Sequence, residues 1–294
     1  MAEDHGHNPL EHVIDHDTLE IPVVEAPIAL PAIAGVQITR FMVMELVAAL
    51  LVAAILIPLT RHVLANRVTK GRFSNFFEAI LLFIRDGIAR PAIDGNSDDH
   101  GHGEVHVDDH GAHAAAVHAG RPSDRFLPFL WTTFFFVLFC NLLGMIPGGA
   151  SPTGNIAVTG TLALITFIVV VVAGMRTSGL VGYWTSLVPK MDVPAILKPF
   201  LWGLMLVIEV AGLLIRHVVL AVRLFANMLA GHIVIAVILG FIAMATGAAT
   251  FLVTPASLVG AVAISVLELF VAFLQAYIFT FLAALFIGTA LHPH

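Results

Sequence analysis

Residues 126 to 175 form a run of 50 positions without one Asp, Glu, Lys or Arg. A water-soluble fold needs charge on the outer face of most of its elements. Here 224–267 and 269–291 are equally free of those four residue types, so the bilayer is the solvent this chain has to satisfy. Hydrocarbon offers backbone amides no water, and only helices and closed barrels span it. A barrel shows alternating segments of about ten residues, whereas the apolar runs here are continuous and about twenty residues or longer, as helical spans are. The chain is therefore an all-α polytopic membrane protein, predicted to have five membrane-inserted helices and one interfacial amphipathic helix. The single cysteine, Cys140, lies inside an apolar run, which excludes an intrachain disulfide or a CxxC pattern and suits a core residue.

Charge is informative locally. Residues 1–39 carry seven acids and no Lys or Arg, while Arg61, Arg67, Lys70 and Arg72 follow the first apolar run. The positive-inside rule then assigns 1–39 to an extracytoplasmic segment, 40–60 to the first transmembrane helix, and residue 61 onward to the cytoplasm. The opening MAEDHGHNPLEHVIDHD has no basic start, so that first span is expected to remain as an uncleaved anchor. Over 73–92 the pattern is an amphipathic interfacial helix. Ser74, Asn75, Glu78, Arg85, Asp86 and Arg90 share an arc of about 160°, with Phe73, Phe76, Phe77, Ile80, Leu81, Phe83, Ile84 and Ile88 opposite. A short span is the weaker reading, because its charges would enter hydrocarbon.

Residues 93–121 read as a cytoplasmic low-complexity loop with six His and six acids. His and Asp at such spacing bind divalent metals only when the chain fixes their geometry, and this Gly/Ala-rich stretch does not, so neither a metal nor a cofactor is assigned. A transmembrane hairpin is expected over 126–175, turning at PGGASPTG, followed by a cytoplasmic connection at 176–199 interrupted by prolines. Residues 200–291 should then form a helix hairpin with Pro255 between its arms and the C-terminus in the cytoplasm. A helix of 36 residues measures about 54 Å against a hydrocarbon core of about 30 Å, so both arms are expected to be strongly tilted.

A charge at mid-bilayer costs from about 3 to above 10 kcal/mol, so ionisable residues in these spans mark function or a partner. The C-terminal third offers Glu209, Arg216, Arg223, His232 and Glu268, with polar Asn227 and Gln275. Relative to Arg223, an ideal helix puts Glu209 at about 40°, Arg216 at about 20° and Asn227 at about 40°, one narrow stripe, and His232 at about 180°. Facing residues of an antiparallel hairpin have a constant index sum. Arg223 with Gln275 gives 498 and His232 with Glu268 gives 500, which suggests an Arg/Gln layer and a His/Glu layer around a turn near 249 or 250. Buried ion pairs that merely hold helices together would explain the charges, and a lone His is often a packing residue. A carboxylate matched with an imidazole, however, can pass a proton near neutral pH. Arg223 keeps its proton under these conditions and can act only as a fixed charge.

The runs RLFANMLAGH (Arg223 to His232) and LELFVAFLQAYIF (Leu267 to Phe279) closely resemble the two defining helices of subunit a of the rotary F-type ATP synthase. The likeness extends to FIRDGIARPAI, FLPFLWTTFFFVLFCNLLGMIPG and GNIAVTGTLAL, most of the chain outside the His-rich loop and the extreme N-terminus. The resemblance implies a bacterial inner-membrane stator that faces a ring of c subunits and assembles with b-type peripheral-stalk subunits in a hetero-oligomeric ATP synthase, with lipid around it and no nucleic acid. It makes Arg223 the essential arginine, Asn227 and Gln275 its polar neighbours, Glu209 part of a cytoplasmic half-channel, and His232 with Glu268 an outer half-channel pair. Some bacterial members carry that last pair in the reverse order. The chain has no GxxxxGK[ST] phosphate loop, so nucleotide chemistry is expected in other subunits. A stand-alone proton- or metal-coupled transporter is the alternative, against which stands the missing internal repeat. A scaffold would leave Glu268 and Gln275 unexplained.

Overall fold

The computed structural model describes residues 18–19, 28–29, 32–33, 36–64, 72–95, 121–146, 151–188 and 197–292. The only strands among them are two-residue ladders, Thr18–Leu19 with Ile28–Ala29 and Ala32–Ile33 with Val36–Gln37. Everything longer is helix. Helix α1 is Arg40–Leu64, α2 is Arg72–Phe83, α3 is Leu127–Gly144, α4 is Ile156–Ser178, α5 is Leu180–Ser186, α6 is Lys198–Met244 and α7 is Thr250–Leu291. Five of these, α1, α3, α4, α6 and α7, are long and apolar enough to cross a membrane. The fold is that of an all-α polytopic membrane protein.

Helix α6 has 47 residues and α7 has 42, or about 70 Å and 63 Å at 1.5 Å per residue. Neither is interrupted. Each is about twice the thickness of the hydrocarbon, so it must incline steeply or extend beyond it. The turn between them differs in detail from the expected one. Helix α6 stops at Met244, Gly247 takes a φ of 64°, and a 3-10 turn at Gly247–Ala249 starts α7. Pro255 therefore lies inside α7 rather than between the arms. A proline at this position leaves the Phe251 carbonyl without its helical donor, yet its fixed φ is already helical and the helix continues through it. Pro199 sits in the first turn of α6, where its missing N–H would have had no partner.

The chain divides into two compact units: Met1–Ala54 with Phe135–Ala163 and Val218–Tyr277, and Ile55–Phe134 with Leu164–His217 and Ile278–His294. In the first unit buried Asn141 ties three segments. Its side-chain amide donates to the Ala272 carbonyl at 3.4 Å and its oxygen accepts from the Thr153 hydroxyl at 2.8 Å. Ser151 completes the chain with a 2.8 Å hydroxyl contact to Thr153. A buried amide without partners is costly, so this network fixes the α3–α4 turn against α7.

In the second unit, α2 continues as a π-helical segment, Ile84–Asp94. It buries Leu81, Ile84, Ile88 and Ile93 and leaves Phe73, Phe76 and Phe83 exposed, so the apolar arc read from the sequence is split between protein and surroundings. The Trp131 indole donates to the Leu81 carbonyl at 3.1 Å. On the polar side, Arg85 and Arg90 both bind Asp86, and the hydrogen bonds from Arg85 hold that carboxyl below its usual range. Asp94 accepts from the Ser123 amide at 3.0 Å and hydroxyl at 2.7 Å. One of the loop's six acids thus closes the base of the His-rich loop, whose residues 96–120 lie outside the described residues.

Helix α7 passes close to this π segment. A Cβ built on Gly288 would overlap the backbone carbonyl of Ala92. No rotamer change relieves a clash with main chain, and overpacking of this kind costs about 1–3 kcal/mol, occasionally more. Gly288→Ala should lower the unfolding temperature of the detergent-solubilised chain, whereas Gly203→Ala, facing open space in α6, should hold or raise it. Equal responses would refute the close approach.

Candidate proton-transfer site in the membrane helices

Helices α6 and α7 run antiparallel and meet at near-constant index sum. His232 Nδ1 lies 3.8 Å from Glu268 Oε1 at a sum of 500, and Gly260 packs beside Ile238 at 498. The Glu268 side chain is 6% exposed and that of His232 is 24% exposed. The separation is that of an ion pair and is too long for a hydrogen bond. Among the described residues Glu268 Oε1 has no hydrogen-bond partner. A buried carboxyl so placed can hold a proton or hand it to the imidazole beside it.

The rest of the candidate set is distributed. Arg223 lies on α6 nine positions before His232 and is exposed; the three ion pairs among the described residues do not include it. Asn227, one turn later, has a buried side-chain nitrogen without a hydrogen-bond partner among the described residues. Gln275 is 9% exposed on α7, and among the described residues no hydrogen bond joins it to Arg223. Glu209, partly exposed, and Arg216, exposed, belong to the second unit, and the other five to the first. No three His, Cys, Asp or Glu side chains among the described residues gather as a metal site would require.

Three residues of interest escaped the sequence reading. Glu45 sits inside α1, partly exposed, in a helix that is shorter and more flanked by charge than the long neutral runs. His217 is 3% exposed in the second unit, donates from Nδ1 to the Leu213 carbonyl at 2.8 Å, and packs its ring on Phe167 and Phe286. Its Nε2 is buried without a hydrogen-bond partner among the described residues. The available signal was an imidazole within an apolar helix directly after Arg216. Gly231 is the third. A Cβ there would occupy the space of Glu268 Oε1 and Cδ, so the missing side chain makes room for the carboxyl.

Gly231→Ala should therefore displace the Glu268 carboxyl, at a cost that offsets the roughly 1 kcal/mol by which Ala is the better helix former. In a Glu268→Ala background the same change should cost nothing or add the roughly 1 kcal/mol of helix propensity that Ala has over Gly. A double-mutant cycle of denaturant unfolding in detergent measures this. Additive effects would show that the carboxyl does not fill the Gly231 site.

Residues 104–288 match the family model described as ATP synthase A chain. The chain is 41% identical over 230 residues to an ATP synthase subunit a of Myxococcus xanthus, covering 77% of this chain and 65% of that protein. It is 46% identical over 187 residues to an ATP synthase subunit a of Chloroherpeton thalassium, covering 64% and 54%. A protein of Chlorobaculum tepidum named ATP synthase subunit a 2 is 41% identical over 227 residues, covering 77% and 54%. The chain thus spans roughly half to two thirds of the length of the relatives it matches. By the extent of the family match and the level of these identities, the chain belongs to the ATP synthase A chain family.

Proposed function

We propose that this chain is the stator subunit a of a bacterial F-type ATP synthase, providing two proton half-channels against a ring of c subunits and held by b-type peripheral-stalk subunits. It would lie in the inner membrane, N-terminus outside and C-terminus in the cytoplasm. The observation that carries the reading is Arg223. It is an exposed cation on an apolar membrane helix, outside every ion pair among the described residues. Leaving such a charge in hydrocarbon is expensive, and a carboxylate presented by another subunit offsets that cost. Family membership supports a ring as the source of that carboxylate.

Protons enter from the outside past His232 and Glu268 and neutralise a ring carboxylate, which then leaves the arginine and turns into lipid. After almost a full rotation the carboxyl meets a second passage near Glu209 and ionises again. Arg223 attracts the ionised form and, because its guanidinium retains its proton near neutral pH, carries no proton across. Asn227 and Gln275 are polar neighbours that ease the desolvation of the passing pair. Each charge crossing 100 mV gains about 2.3 kcal/mol, the scale on which rotation is driven. The reaction at nucleotide belongs to other subunits.

Glu268→Gln removes the carboxyl from the outer passage, leaves the His232 imidazole there and preserves the side-chain shape. In reconstituted vesicles, proton conduction through the complex should fall about 100-fold or more and change its dependence on pH, with Arg223 still preventing leak. An unchanged rate across pH would make Glu268 a packing residue.

A further inference from the structure

Within the second unit, the ends of α3, α4 and α7 enclose a cavity of about 430 Å³. Arg125 stands just before α3, Arg176 and Thr177 lie in the last turn of α4, and His292 follows the final residue of α7. Phe126, Val169, Val172 and Ala173 form its apolar wall, and neither Asp nor Glu lines it. Both arginines are exposed, and neither enters an ion pair or a hydrogen bond among the described residues. His292 already uses Nε2 on the Ile93 carbonyl at 3.2 Å, which leaves Nδ1 for another partner.

We propose that this cavity is a binding site for one anionic glycerophospholipid, its phosphodiester held between Arg125 and Arg176 and one acyl chain lying along Phe126, Val169 and Val172. Three features converge on that chemistry. The 50-residue neutral run ends at Met175, so Arg125 and Arg176 flank the hydrocarbon at one membrane boundary, the depth of headgroup phosphates. Two guanidinium groups without a carboxylate present planar donor forks matched to phosphate oxygens. Free phosphate would meet that electrostatic demand but leave the apolar wall wet, whereas a phospholipid fills both. A cavity of this size accepts a headgroup and the first part of one chain, so the remainder of the lipid stays in the bilayer. The site does not depend on the stator reading, since none of its residues is placed in the proton path.

The test is native mass spectrometry of the full chain in detergent, titrated with phosphatidylglycerol, phosphatidylcholine or inorganic phosphate. The proposal expects one saturable phosphatidylglycerol, weak phosphatidylcholine, and no displacement of the lipid by millimolar phosphate. Arg125→Gln with Arg176→Gln should weaken phosphatidylglycerol roughly thirtyfold, about fivefold per arginine, and Arg125→Lys with Arg176→Lys, which keeps the charge without the planar fork, should lose less than the Gln variant. Equal binding of the two lipids, or an unchanged affinity in the Gln variant, would overturn the site. Displacement by phosphate would show a site for a free anion and overturn the lipid assignment. The comparison of lipids on the unaltered chain decides the matter even if the Gln variant does not fold.

Discussion

The cost of a charge in hydrocarbon shapes this molecule more than any other constraint. It expels Asp, Glu, Lys and Arg from 50 consecutive residues of the α3–α4 hairpin, and it gives meaning to the few that remain in α6 and α7. Those few are treated differently from one another. Glu268 is buried beside His232, where it can be neutral, whereas Arg223, which cannot lose its proton, is exposed. A residue that can shed its charge tolerates burial within the subunit. Arg223 instead faces outward and has no ion-pair partner among the described residues.

Within each unit, close backbone approach and a few polar pins replace the hydrophobic effect, which lipid tails abolish as a force between helices. Gly288 admits the Ala92 carbonyl and Gly231 admits the Glu268 carboxyl. Asn141 with Thr153 and Ser151, Trp131 with Leu81, and Asp94 with Ser123 provide directional bonds at the ends of otherwise featureless apolar helices. The Asp94 pair also bears on the His-rich loop. An insertion whose base is closed by a carboxylate and a helix start imposes little on the helices it interrupts.

The number of spans and the antiparallel register of α6 on α7 were legible in the sequence, because neutral-run length and index sums report directly on helices in lipid. The position of the turn was less so. Pro255 suggested a break, but a proline one turn inside a helix is tolerated, and the left-handed φ at Gly247 made the stop instead. His232 and Glu268 emerged as a pair because their matched positions carried information that neither has alone. Their spatial partner Gly231 left no such trace, since a glycine among alanines and leucines signals nothing until the opposing side chain is placed. His217 and Glu45 were obscured in a similar way: neither has a matched partner in sequence.

The central claim is that Arg223 is a counter-charge for a carboxylate on another subunit and the barrier between two proton passages. The most direct measurement is ATP synthesis and passive proton flux in vesicles carrying the complex with Arg223→Ala. Without the counter-charge the partner carboxylate regains several kcal/mol of desolvation penalty, so coupled synthesis should fall a thousandfold or more while passive flux down an imposed gradient rises. Synthesis at the unaltered rate with no added leak would contradict the account.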